Sequence, residues 1–179
     1  MSDVVSQQTA YADNSDFNAD HYMFQQLLAR VATCMLVKVL GVTNTGGLST
    51  VGYVDAQAMV NQVDGADNGT PHGRMHNLPY MRIQGGTNAV IIDPAVGDIG
   101  LACFASRDIS TVKNTRNFAN PGSRRRYSMA DGCYIGGFLN GIPTQYIQFL
   151  ASGINIVSPG TVTIQAPNVS ITSPNIKFN

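Results

Sequence analysis

From Gly153 onward the chain is a short-period repeat that cannot cover its own apolar side chains. It reads GINIVS, PGTVTIQA, PNVSITS and PNIKFN, with Pro159, Pro167 and Pro174 opening successive units seven or eight residues apart. Within each unit apolar residues alternate with small polar ones: Ile154 and Ile156, Val162 and Ile164, Val169 and Ile171, Ile176 and Phe178. A period of two places one apolar and one polar face on every extended unit. Pro-Gly and Pro-Asn then supply the corners.

A single copy of such a ribbon leaves its apolar face wet and its strand edges open, with N–H and C=O groups free to pair with another chain. Three copies wound about one axis remove both defects, since the apolar faces meet at the centre while the edges pair with neighbours. The expectation is a C-terminal trimeric intertwined β-helix, a stiff prism, with Ile154, Ile156, Val162, Ile164, Val169 and Ile171 in the trimer core. The competing expectation is a pair of hairpins added to an ordinary sandwich. After Asp131 the only charged residue is Lys177, whereas a solvated edge strand usually carries more gatekeeping charge.

The rest of the chain sets outer bounds. Its 179 residues suit one medium domain with an extension. Zero net charge with 12% charged residues disfavours nucleic acid and acidic membranes as partners. The start carries Asp3 and polar residues where a secretory signal needs a basic, then apolar, stretch, so synthesis and folding in the cytosol are expected. Cys34, Cys103 and Cys133 are widely spaced with no CxxC, and read as small buried hydrophobes.

Along the chain, residues 1–33 read as an N-terminal arm and helix. Ser15 or Asp16 is the expected cap, and Phe17, Met23, Phe24, Leu27, Leu28 and Val31 recur at helical spacing. His21 reads as an exposed polar residue on that helix. Residues 34–110 alternate like strands, beginning at MLVKVLGVT, with a polar loop expected from Asp64 to Asn77. About five strands ending at Phe104 suggest a small closed antiparallel barrel, which removes exposed edges. Residues 111–150 read as a basic linker and β connector, in which Tyr134–Leu139 and Tyr146–Leu150 form a strand pair about the turn Asn140-Gly141. Residues 151–179 are the spike. The fold class is mainly β.

The run IIDPAVGDIGLACFASRDIS at 91–110, the basic segment leading into SMADGCYIGGF at 128–138, and the Pro-punctuated repeat together resemble a known family. It is the central spike protein of contractile-tail bacteriophages, of the baseplate assembly protein V type. The resemblance implies an N-terminal barrel of the oligonucleotide/oligosaccharide-binding (OB) type docked under the tail tube on baseplate hub proteins. A trimeric β-helix would follow, driven through the host outer membrane when the sheath contracts. The implied location is the virion, in the baseplate of the tail, after assembly in the host cytoplasm. A spike of a bacterial contractile injection or secretion system is the related alternative. Several members of the family end in a His-x-His pair that binds iron, but this sequence has no histidine after His76. No iron or other cofactor is expected, and a separate tip-capping protein is expected to stack on Ile176 and Phe178.

Other constellations are weaker. His72 and His76 have helical i, i+4 spacing, but Pro71 and Gly73 argue against a helix there. Asp64, Asp67 and Asn68 resemble a calcium loop with Ala66 where a ligand is needed, so a turn is expected. No nucleophile elbow, HExxH or phosphate loop occurs, and no catalytic residue is assigned. Arg124, Arg125 and Arg126, with Lys113 and Arg116, form the basic cluster. It makes a single-stranded nucleic-acid-binding barrel the rival from another class. The plainer expectation is a surface segment paired to a neighbouring subunit, with no nucleic acid bound.

Overall fold

The computed structural model describes residues 15–29, 31–64 and 66–177. They divide into two units, Met1–Asn140 and Gly141–Asn179.

In the first unit, Ser15 Oγ accepts the Asn18 N–H at 3.2 Å and starts helix α1, Asp16–Ala29. This is the expected N-cap, satisfying one of the helix's orphan donors. None of the side chains of α1 is buried, and Phe17, Phe24 and Leu28 stand exposed. The His21 ring stacks on Phe17 and bonds the Gln25 amide at 2.9 Å.

The strands follow as β1 (Cys34–Val42), β2 (Tyr53–Ala58), β3 (Gln62–Val63), β4 (Gly69–Thr70), β5 (Met75–Pro79), β6 (Ile83–Gly85), β7 (Asn88–Val90), β8 (Ile99–Phe104) and β9 (Gly132–Gly136). Five of them make one antiparallel sheet in the order β5-β2-β1-β8-β9, curled into a half-barrel. Alternation explains which residues face in. Val37 and Val39, Val54, Ala56 and Ala58, then Ala102 and Phe104, are buried on the concave side, while Lys38 points out. Slips in register at Val39/Gly41 in β1 and opposite Val54/Ala56 in β2 bend the sheet. At the second slip Asn77 takes a left-handed φ of 56°, and Asp55 fixes it by accepting the Asn77 N–H at 3.0 Å and bonding His76 at 2.8 Å. The outer strands approach one another at one point. Tyr80 and Tyr134 form a parallel bridge, and the Met81 N–H donates to the Tyr134 carbonyl at 2.8 Å.

The sequence expectation of a strand turn at Val96-Gly97-Asp98 matches the structure. Asp98 Oδ2 accepts the Ala95 N–H at 2.9 Å, and Gly97 has a φ of 100°. The turn is docked on β1 by hydrogen bonds from the Gly97 N–H to the Val39 carbonyl and from the Val39 N–H to the Asp98 carbonyl. In β8, Gly100 makes room for the buried Tyr134, whose ring an added Cβ would overlap.

Four expectations are corrected. The fifth strand of the sheet is β9, beyond the basic segment, because β3–β4 and β6–β7 are small separate hairpins that contribute nothing to it. Tyr134 therefore pairs with Ala102 in β8, and not with the strand at Tyr146. The stretch 64–77 is not one loop, since it contains β4 and the start of β5. The cysteines are not core residues: Cys34 and Cys133 are exposed and Cys103 is half-buried, all on the convex side. Among the described residues no helix is long and apolar enough to cross a membrane.

In the second unit, β10 (Tyr146–Leu150) pairs with β11 (Gly153–Val157) through a two-residue turn closed by Gly153 at a φ of 143°. Such a φ favours glycine. Residues 158–177 form no further strand.

Candidate assembly interface

The hairpin β10–β11 has two unlike faces. Its register places Ile147 opposite Ile156 and Phe149 opposite Ile154, so four large apolar side chains share one face. The other face carries the pairs Tyr146/Val157, Gln148/Asn155 and Leu150/Gly153. Nothing among the described residues of the second unit covers the apolar quartet, whose exposures run from 62% to 76%.

The apolar stripe continues past the hairpin. After Val157, the Ser158 hydroxyl accepts the Gly160 N–H at 3.2 Å and shapes the corner at Pro159. Val162, Ile164, Val169, Ile171 and Ile176 then follow, each at least half exposed. At the Pro174 corner Ser173 repeats the same device, accepting the Asn175 N–H at 3.2 Å. Bends fall at Pro159, Pro167 and Pro174, the corners expected of Pro-Gly and Pro-Asn, while among the described residues the units they open make no β-bridge. Of the residues assigned to the trimer core, Ile154 and Ile156 lie on the quartet face of β11, and the other four lie on the segment 158–177, which forms no strand. Ile176 is exposed, and Phe178 lies outside the described residues.

In the first unit the basic cluster is split by direction. Arg125 turns inward: its Nε donates to Asp131 Oδ2 at 2.6 Å, and its Nη2 to Asp131 Oδ1 and Asp108 Oδ1 at 2.9 Å each. The two carboxylates are buried. Asp131 Oδ1 also accepts the Ile109 N–H, and Asp108 accepts the Ser123 hydroxyl at 2.7 Å. Hydrogen bonds from Ser110 and Ser123, with Arg125 nearby, hold the Asp108 carboxyl well below the usual carboxylate range. Arg125 is therefore a clasp that ties the loop after α2 (Ser110–Thr115) to the start of β9, and its ion pairs lie within its own chain. Arg124 and Arg126 remain exposed and line a shallow hollow with Arg107, Pro121 and Ser123. Sequence reasoning missed Arg107, which only the fold brings to the other two.

A second buried network joins the segment after β7 to the sheet. Asp93 accepts from the Tyr80 hydroxyl at 2.5 Å, from Arg82 Nη2 at 2.6 Å and from the Gly46 N–H at 2.9 Å. Burial alone would raise its pKa, but the hydrogen bonds from Tyr80 and Arg82 outweigh that and hold it below the ordinary value. His72 bonds Gln62 and His76 bonds Asp55, so the two do not converge. Asp64 Oδ1 accepts the Ala66 and Asn68 N–H groups at 2.9 Å, making the turn expected there. No three His, Cys, Asp or Glu among the described residues are placed to hold a metal ion.

No protein-family model matches this chain, and no curated protein matches it significantly.

Proposed function

We propose that this chain is a structural subunit that works as a trimer, the central spike of a contractile phage tail or of a related bacterial injection system. The uncovered apolar stripe from Ile147 to Ile176 carries this reading. A monomer leaves it in water along the whole second unit, and a threefold arrangement offers each copy both an apolar centre and strand edges to pair with.

The first unit supports the same reading. Its strand order, with the parallel contact between Tyr80 and Tyr134, is the order expected of an OB-type barrel, and we read the half-barrel as that fold. In this proposal the barrel docks to tail-tube and hub proteins, and the second unit forms the prism that loads force onto the outer membrane. The function is mechanical and assigns no residue to catalysis.

Native mass spectrometry of the full-length protein at micromolar concentration tests the proposal. Three chains are expected; a folded monomer at that concentration overturns it.

A further inference from the structure

The three cysteines form one row across the convex side of the sheet. Cys34 in β1 stands opposite Cys103 in β8, which stands opposite Cys133 in β9. Nothing in their sequence spacing announces this.

The two contacts in the row are unlike. The Phe104 N–H donates to the Thr33 carbonyl at 2.8 Å, which makes Thr33/Phe104 a hydrogen-bonded pair and the next pair, Cys34/Cys103, a non-hydrogen-bonded one. Antiparallel strands alternate in this way, and the non-hydrogen-bonded pair brings Cα atoms to about 4.5 Å with the side chains closest. A disulfide accepts Cα separations of about 4.4–6.8 Å. On the other side, the Ala105 N–H donates to the Asp131 carbonyl at 2.9 Å, so two steps along, Cys103/Cys133 is again a hydrogen-bonded pair with its side chains further apart. The sulfurs agree, since Cys34 Sγ lies 3.1 Å from Cys103 Sγ.

We propose that Cys34 and Cys103 are an oxidisable dithiol that closes as a cross-strand disulfide between β1 and β8, leaving Cys133 free, with a low-molecular-weight disulfide such as oxidised glutathione as the oxidant. The exposed Cys34 thiolate attacks one sulfur of that disulfide; the S–S bond breaks, and the first glutathione leaves and takes up a proton. Cys103 then attacks the Cys34 sulfur of the mixed disulfide and expels the second glutathione. Two protein thiols are oxidised and one glutathione disulfide is reduced to two thiols. The order follows from the site: the Cys103 thiol is pushed up to about 11 by Cys34 beside it and by burial. Conversion of Cys34 to the mixed disulfide removes the first of these effects.

The link closes the loop that carries β2 to β7, and so staples the first strand to the last long strand before the basic segment. The pairing does not depend on the spike reading, but its timing does. A virion protein would be assembled reduced in the cytosol and oxidised on release.

Full-length protein, purified under reductant, is exchanged into oxidised glutathione at pH 8, quenched with N-ethylmaleimide and mapped by peptide mass spectrometry. The expected product is a Cys34–Cys103 link within one chain, with Cys133 alkylated and the thermal midpoint raised by roughly 5–15 °C. Cys133→Ser should form the same link, and Cys34→Ser should form none. A Cys103–Cys133 link, a link between chains, or full alkylation of all three after oxidation overturns the proposal. Native mass of the same sample reads the assembly separately, so a linked monomer removes the spike reading and leaves the dithiol standing.

Discussion

Ile164 is 72% exposed in the single chain and lies at the middle of the uncovered stripe. Full burial of an isoleucine side chain is worth about 1.5–3 kcal/mol. Scaled by that exposure, each copy would gain about 1–2 kcal/mol on entering an apolar axis, and three copies about 3–6 kcal/mol. Ile164→Asp forfeits this gain and adds three carboxylates around one axis, where lost hydration and like-charge repulsion both oppose association. The trimer association constant should fall at least roughly 100-fold, since 1.4 kcal/mol is about a factor of ten. Thr163→Asp introduces the same charge one residue away, on the opposite face of an extended chain, and should change the constant by less than about tenfold. Sedimentation equilibrium over a dilution series separates the two variants. Equal losses from both would refute the assigned register, and retention of the trimer by Ile164→Asp would refute an apolar axis at this position.

The remaining predictions concern the first unit. Gly100→Ala places a Cβ 2.5 Å from the Ile135 carbonyl oxygen and into the Tyr134 ring, and should cost about 1–3 kcal/mol or more in urea unfolding, while Gly73→Ala, with open space around it, should be neutral. Arg125→Ala leaves the buried Asp131 without its cation and should destabilise by about 1–3 kcal/mol, discounted for the partial exposure of the arginine; Arg124→Ala and Arg126→Ala should each stay within about 0.5 kcal/mol. Asp108 and Asp93 have folded pKa values below their unfolded ones, so their contribution is present above about pH 4 and is lost as pH falls through the folded values. Urea midpoints measured from pH 7 to pH 2 should therefore fall on acidification, and Asp108→Asn should flatten the acid limb. Arg107, Arg124 and Arg126 should give only weak, salt-sensitive association with single-stranded DNA; submicromolar affinity at physiological salt, abolished by alanine at these positions, would favour the nucleic-acid reading.

What the sequence determined by itself is local. The Ser15 cap, the turn at Val96-Gly97-Asp98 and the Ser/Pro corners of the tail depend on residues within a few positions of one another, and alternation along β1, β2 and β8 marks the buried face without reference to a partner. The tail repeat also announces its deficit, because its apolar period is legible in the order of residues alone. The tertiary structure decided what lies between distant segments. That β9 is the fifth strand, that Arg125 clasps Asp108 and Asp131 while Arg107 joins Arg124 and Arg126, and that three scattered cysteines form one row all follow from strand order and register. Register is set by the sum of many weak cross-strand contacts, and a one-residue slip would send every side chain of a strand to the other face. No single residue or spacing records that sum, so the cysteines read as core until the sheet placed them side by side on its convex face.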